Sequence, residues 1–331
     1  MFVLDTTGKY IVLFLIFLVL QNLYINQSLL SSDIYRFVFY FVLYIFMTNS
    51  DSNFDYFYLP LILFTIVAGF AVGAYVFELN FGNDDYQTWN IGFNPSDLDY
   101  LKGRINGFQA GGPNSFADLI TITAVYSLFK YKNSYVFFIV PLALFAVIVT
   151  YSRFSLIVLM LFTFLKLIKE KLYTVLIVST LIFLFAVNSL GVYERFMNDD
   201  NNGISDRVLM LEASTDYFMS SSLEAKLIGN GSNKIIFESN NIYLYDEFEK
   251  NPYSYGPHNS FIFYLINYGV VGVLLYISIF MSLFKGKLKF DFNLITVAVF
   301  FVLSLSTDLL HNHSVSWFLY FVYYSYLKAE N

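Results

Sequence analysis

Residues 251–277 read NPYSYGPHNSFIFYLINYGVVGVLLYI. A polar, turn-rich entry gives way, from Asn259 onward, to an apolar run that continues to about residue 284. A membrane-crossing helix needs about 20 apolar residues, and this run supplies them. Only three histidines occur in 331 residues, and one of them, His258, stands where the loop enters the run.

The rest of the chain agrees with a membrane reading. It is 57% hydrophobic and 13% charged, with mean hydropathy +0.58, against about 25% charged residues in a soluble domain. The expected fold is therefore an all-α integral membrane protein. The chain has 39 Phe, 28 Tyr and six Pro. It has no cysteine, which excludes disulfides and thiolate metal sites and leaves the redox compartment open. The net charge of −6 comes with no basic stripe, so nucleic acid is not an expected partner. No small-residue cleavage site follows the first apolar run, which reads as a retained span rather than a signal peptide.

Ten candidate spans follow from the 20-residue ruler: about 10–25, 34–48, 57–77, 114–129, 134–150, 154–168, 172–191, 259–284, 292–310 and 314–327. The run 134–168 is too long for one crossing and is divided at TYSRFS, because Arg153 at mid-membrane is costly. Lys130 and Lys132, then Lys166, Lys169 and Lys171, then Lys285, Lys287 and Lys289 share one parity and mark the cytoplasmic loops. Both termini are then cytoplasmic. Two long outer loops, 78–113 and 192–258, emerge from a single polytopic domain, 1–331. In the larger loop, RVLMLEASTDYFM has helical spacing and reads as a short helix lying on the membrane surface. NDDNNGISDR and GNGSNK flank it as turn-rich stretches, and no internal repeat is present.

This topology sorts the cations by type. All ten cytoplasmic basic residues are lysine, whereas all five arginines (Arg36, Arg104, Arg153, Arg195 and Arg207) lie outside. A guanidinium is always charged and binds phosphate through a planar fork. The competing reading is ordinary ion pairing in acid-rich loops. Arg36 has no motif around it and reads as a headgroup anchor.

His258 follows Gly256-Pro257, and Asn259 or Ser260 suits the N-cap of the next helix. The helix dipole disfavours a positive imidazole there and keeps it a competent base at neutral pH. Gly269, eleven residues on, would lie about 20° around a continuous helix, with Gly272 near the same stripe. A glycine-floored groove below the histidine would admit a helix or a lipid tail. An interfacial histidine above a packing face is the alternative.

GPHNSFIFYLINYGVVG resembles the signature of the bacterial O-antigen polymerase/ligase superfamily, Pro-His-Asn-Ser followed by His-x10-Gly. RINGFQAGGPNSFADLI, TYSRFSLIVL and SDRVLMLEASTDYFMSSSLEAKLIGNG are similar to the family's arginine segments and occur in its order, over residues 100–285. The resemblance implies a GT-C-like bundle in the bacterial inner membrane, with its active site towards the periplasm or exterior. It implies metal-independent transfer of a glycan from undecaprenyl pyrophosphate, with no cofactor. The acceptor would be a sugar hydroxyl on a second lipid-linked glycan for a polymerase, or on lipid A core for a ligase. Membrane lipid surrounds the site, and a chain-length regulator is a possible partner. By matching position His258 would be the base, and Arg104, Arg153 and Arg207 would hold the pyrophosphate. Substrate contacts would come from Lys102, Arg195, Asn114 and Asn259, with Gly269 beneath. Two departures bear on the acceptor side: the chain is short for the family, and Ile-Phe follows PHNSF where Leu-Gln is commoner.

The remaining signals are weaker. Asp97 and Asp99 form an Asp-x-Asp in an acidic loop. Asp308, His311 and His313 carry ligand-type side chains at a span end, where satisfied interfacial groups are commoner than zinc. Asp118 lies one turn inside its span, suited to orienting an arginine or capping a neighbouring helix. A lipid-linked glycan flippase or a scaffold are the rival classes. The apolar span centres speak against the first, and outward arginines are not needed by the second. The Phe, Tyr, Ile and Asn bias is typical of polysaccharide clusters, which favours polymerase over ligase.

Overall fold

The computed structural model describes residues 6–26, parts of 34–45, 58–81, 91–95, 103–107, 112–189, 203–231, 259–283 and 292–305. Of the apolar stretches, α1 (Thr6–Asn26), α2 (Leu59–Val76), α3 (Gly112–Lys130), α4 (Val136–Ile148), α5 (Arg153–Lys169) and α6 (Tyr173–Ser189) are helical. The stretch opened by Asn259 forms α9 (Ser260–Leu283), and α10 (Phe292–Ser304) follows. Between α6 and α9 lie α7 (Gly203–Ser220) and α8 (Leu223–Ile228). Eight of the ten expected segments are thus helices in place. The second is described only in part, and 314–327 lies outside the described residues.

Two helices, α1 and α9, are long and apolar enough to cross a membrane by themselves. Exposed faces are apolar: Leu20 is 60% exposed, Leu181 61% and Phe185 73%. In contrast, Thr121, Thr123, Ser127 and Ser155 are fully buried. Water would penalise this inside-out arrangement, whereas hydrocarbon suits it, since small polar residues there serve helix contacts.

The architecture is mostly helical, as expected, with one addition. The connection 78–113 contains an antiparallel ribbon of β1 (Gly92–Pro95) and β2 (Gly103–Asn106), with Gly92 opposite Asn106 and Phe93 opposite Ile105. Ile105 is fully buried and Phe93 nearly so. Pro95 ends its strand, as a residue without a ladder donor must. Gly92 takes φ 98, and a Cβ there would overlap the Leu79 carbonyl.

The described residues fall into two compact units. One holds α1, α7, α8 and α9; the other holds α2, the ribbon and α3 to α6. In the first, α1 packs antiparallel on α9: Ser282 Oγ donates to Thr7 Oγ1 at 2.9 Å near one end. Gln21 reaches the Asn267 carbonyl at 2.7 Å towards the other. Phe14 meets Tyr268 edge-on at 5.9 Å between them.

In the second unit the expected loop parity is visible. Asn133 Nδ2 donates to Glu170 Oε2 at 3.0 Å and Lys166 Nζ to Glu170 Oε1 at 3.2 Å, which joins the loops after α3 and α5. Lys130 donates to the Tyr126 hydroxyl at 3.0 Å at the same end. The Asn133 amide, and then Lys166, hold the Glu170 carboxylate below its usual range.

Candidate active site

The opposite end of the second unit is where α3 begins, α4 ends and α5 begins. The 19-residue α3 separates the two ends by about 28 Å at 1.5 Å per residue. The break expected at TYSRFS is present: α4 stops at Ile148 and α5 starts at Arg153. Tyr151 makes the turn with φ 56, a left-handed conformation rare for an aromatic residue, and its ring is buried. Thr150 Oγ1 donates to the Val147 carbonyl at 2.6 Å and accepts from the Ser152 amide at 3.3 Å.

A buried hydroxyl relay supports this turn. Ser155 Oγ donates to Asp118 Oδ1 at 2.6 Å, and Ser152 Oγ lies 2.8 Å from Ser155 Oγ. Thr121 Oγ1 donates to the Ser155 carbonyl at 3.4 Å. Asp118 therefore braces the first turn of the neighbouring helix through the Ser155 hydroxyl. Arg153 is half-buried and is the first residue of α5. A cation at the positive end of a helix is unfavourable. It becomes favourable once an anion sits there, met by the guanidinium and the first-turn amides.

The ribbon brings a second arginine segment to this turn. The Ile105 amide donates to the Val149 carbonyl at 3.1 Å. The backbone of Arg104 therefore lies beside the residues leading into Arg153. Gly107 ends β2 against the Phe116 ring, leaving no room for a Cβ. That contact sets Asn114, half-buried in the first turn of α3, next to the same strand. Arg104, Asn114 and Arg153, distant in sequence, thus belong to one end of one unit. The side chain of Arg104 is not among those described.

In the first unit, Arg207 lies on α7, which is longer than the short helix expected from RVLMLEASTDYFM; the Arg207 side chain is not described. Ser222 caps α8, accepting the Ala225 amide at 3.2 Å, and Gly229 ends it with φ 80. The chain then docks on α9. The Asn230 amide donates to the Ile266 carbonyl and the Gly231 amide to the Asn267 carbonyl, both at 2.9 Å.

Those carbonyls are available because α9 is broken. Gly269 has φ 63 and ψ −173, so α9 is two helical pieces joined at one extended residue. The helical phase is lost beyond Gly269, so Gly272 leaves the stripe expected of a continuous helix. The space expected at Gly269 for a helix or a lipid tail is filled. What approaches Gly269 is backbone, since a Cβ there would overlap the Leu227 carbonyl and the Gly229 amide. A Cβ on Gly229 would in turn overlap the Asn267 carbonyl. A Cβ on Gly272 would strike Tyr268 and Phe17.

Asn259 caps α9 as expected, its Oδ1 accepting the Phe261 and Ile262 amides at 3.0 and 3.1 Å. Its Nδ2 donates to the Leu305 carbonyl at 3.2 Å. His258, Lys102, Arg195 and Arg36 lie outside the described residues, as do Asp97, Asp99, Asp308, His311 and His313.

Sequence reasoning missed Gln21, whose Nε2 donates to the Ile228 and Asn267 carbonyls. Its signal was present: a glutamine within an apolar span, where a polar side chain needs a reason. The Ser152–Ser155 pair was equally overlooked.

Residues 138–277 match the family model described as O-Antigen ligase. The match runs from α4 through the break in α9. It takes in Arg153, Arg195, Arg207, His258, Asn259 and Gly269, while Lys102, Arg104 and Asn114 precede it. No curated protein matches the chain.

Proposed function

We propose that this chain, whose residues 138–277 match the O-antigen ligase family model, is a polymerase of lipid-linked surface glycans acting in the bacterial inner membrane. Family members are glycosyltransferase-like enzymes of polytopic membrane type. The substrates are a glycan on undecaprenyl pyrophosphate and the sugar hydroxyl of a second lipid-linked glycan, met on the outer face. The acceptor oxygen attacks the anomeric carbon, the bond from that carbon to the pyrophosphate oxygen breaks, and undecaprenyl pyrophosphate departs with the electron pair. His258 takes the acceptor proton. Arg104, Arg153 and Arg207 bind the pyrophosphate and stabilise the charge it gains, the usual largest contribution in such a transfer, without requiring a metal ion. Lys102, Arg195 and Asn114 lie in a second tier of contacts.

One observation carries this reading. The Arg104 and Arg153 segments are pinned side by side through the Ile105–Val149 hydrogen bond, at the end of the second unit away from the lysines. A flippase needs ionisable groups along a path through the membrane, whereas here a braced arginine opens a helix at one end. A scaffold needs neither the brace nor the arginine.

A ligase that delivers the glycan to lipid A core is the second reading, favoured by the description of the matching family. A deletion strain separates the two. Single repeat units on core indicate a lost polymerase; long chains stranded on the lipid carrier indicate a lost ligase. His258→Ala should abolish transfer at normal membrane levels, and Arg207→Lys should impair it although charge is kept. Full-length product from His258→Ala removes His258 from the reaction.

A further inference from the structure

The break in α9 is clipped at two places, and one of them is a side chain from the other end of the sequence. Gln21 is 5% exposed and lies on α1. Its amide nitrogen donates to the Ile228 carbonyl, the last of α8, and to the Asn267 carbonyl at 2.7 Å, beside the break. One NH₂ group has two hydrogens, so both are committed. The same Asn267 carbonyl also accepts the Gly231 amide at 2.9 Å. Both lone pairs of that oxygen are therefore used. Three elements meet at one atom: α1, the Gly229–Gly231 turn and α9.

We propose that Gln21 is a positioning residue for glycan transfer: it fixes the turn after α8 to the break in α9. The α7–α8 segment carrying Arg207 and the helix that follows His258 then hold one relative placement. The transfer part of this proposal rests on the reading given above. The Gly229 turn is itself held to α9 by the Asn230 and Gly231 amides and by Asn230 Nδ2, which donates to the Ile266 carbonyl at 3.3 Å, all from two neighbouring residues. Gln21 adds a contact from a separate element, α1, and ties Ile228, the last residue of α8, into the same junction. A residue of its size with no donor would leave the part-buried Ile228 carbonyl without that hydrogen bond. The turn would then gain by lifting towards other donors.

The absence of cysteine makes the test direct. Spin labels are placed at Leu223→Cys on α8 and Leu274→Cys on the second piece of α9, residues 75% and 58% exposed. The full-length protein is studied in lipid nanodiscs. The labels should report a narrow distance distribution with Gln21 present and a broadened one in Gln21→Leu. Gln21→Glu, which sets a carboxylate against two carbonyls, should broaden it further. In both variants kcat for glycan transfer should fall about 10- to 100-fold while donor KM changes less than twofold. If Gln21→Leu does not insert stably, Gln21→Asn, with an amide one methylene shorter, supplies the same comparison. An unchanged distance distribution overturns the clip. A broadened distribution with wild-type kcat overturns the positioning role. Full transfer by His258→Ala and Arg207→Lys would overturn the catalytic reading instead, and the distances still judge the clip on their own.

Discussion

Gly269→Ala is the sharpest single perturbation of this architecture. At φ 63 and ψ −173 the backbone is in a region that is essentially glycine-only, where another residue costs about 1–3 kcal/mol. The added methyl would also overlap the Leu227 carbonyl and the Gly229 amide. Relief requires the turn to lift, which gives up the Asn230 and Gly231 amide bonds to α9, a cost the wild type would meet equally. The strain exists only while the turn is docked, so the substitution biases the docked-to-lifted equilibrium by about 1–3 kcal/mol, to which the overlap adds. Amide exchange reads that equilibrium directly. Since each 1.4 kcal/mol is tenfold, exchange of the peptide covering 227–231 should quicken by about 5- to 100-fold. Gly69→Ala on α2 is the control, because nothing lies within 4 Å of its built Cβ. It should leave that peptide unchanged and stabilise α2 by about 0.5–1 kcal/mol. Wild-type exchange at 227–231 in Gly269→Ala would refute the interlocked-backbone account.

Two further outcomes test the other unit. Asp118→Ala removes the acceptor of the Ser155 hydroxyl at 2.6 Å and should destabilise the protein by about 1–3 kcal/mol. Denaturation in detergent, beside a parallel drop in transfer, checks it; unchanged stability would show that the relay does not support the Arg153 turn. Glu170 is held below its usual carboxylate range by Asn133 and Lys166. Its stabilising effect is therefore full above the unfolded value of about 4.3 and lost as pH falls through the lower folded value. With the carboxylate about a third exposed, it amounts to about 0.5 kcal/mol. The stability gap between wild type and Glu170→Ala should be present at neutral pH and close in acid; a gap that persists in acid refutes the ionic origin.

The helices were legible because their signal is local: a run of apolar residues, interrupted at Arg153 by a charge that hydrocarbon does not tolerate. The cap at Asn259 was legible for the same reason, being a short-range bond between a side chain and the next two amides. The ribbon was not. GFNP and GRIN are short and polar, and what makes them strands is distant: Ile105 is held by Val149 and Gly107 by Phe116. The break at Gly269 was hidden because INYGVVG keeps its apolar pattern through the break. Its cause lies about forty residues upstream, so helical phase carried past Gly269 to Gly272 was the wrong ruler. Gln21, whose bonds exist only in the assembled unit, was not legible either.

The same nonlocality explains why two glycine motifs occur in one chain. A helix opened at Gly269 exposes the carbonyls of Ile266 and Asn267, and in an apolar surround each unmet carbonyl costs several kcal/mol. Another part of the protein supplies the missing donors. They are the Asn230 and Gly231 amides and the side chains of Asn230 and Gln21. The Gly229 and Gly231 turn, at φ 80 and 78, is what lets those amides come close enough. Each glycine is therefore the condition for the other. Opening α9 is tolerable only with the turn docked, and the turn has a docking place only where α9 is open. This coupling ties the Arg207 segment to the helix behind His258, because undocking takes from the carbonyls at the break the donors that meet them in the assembled unit.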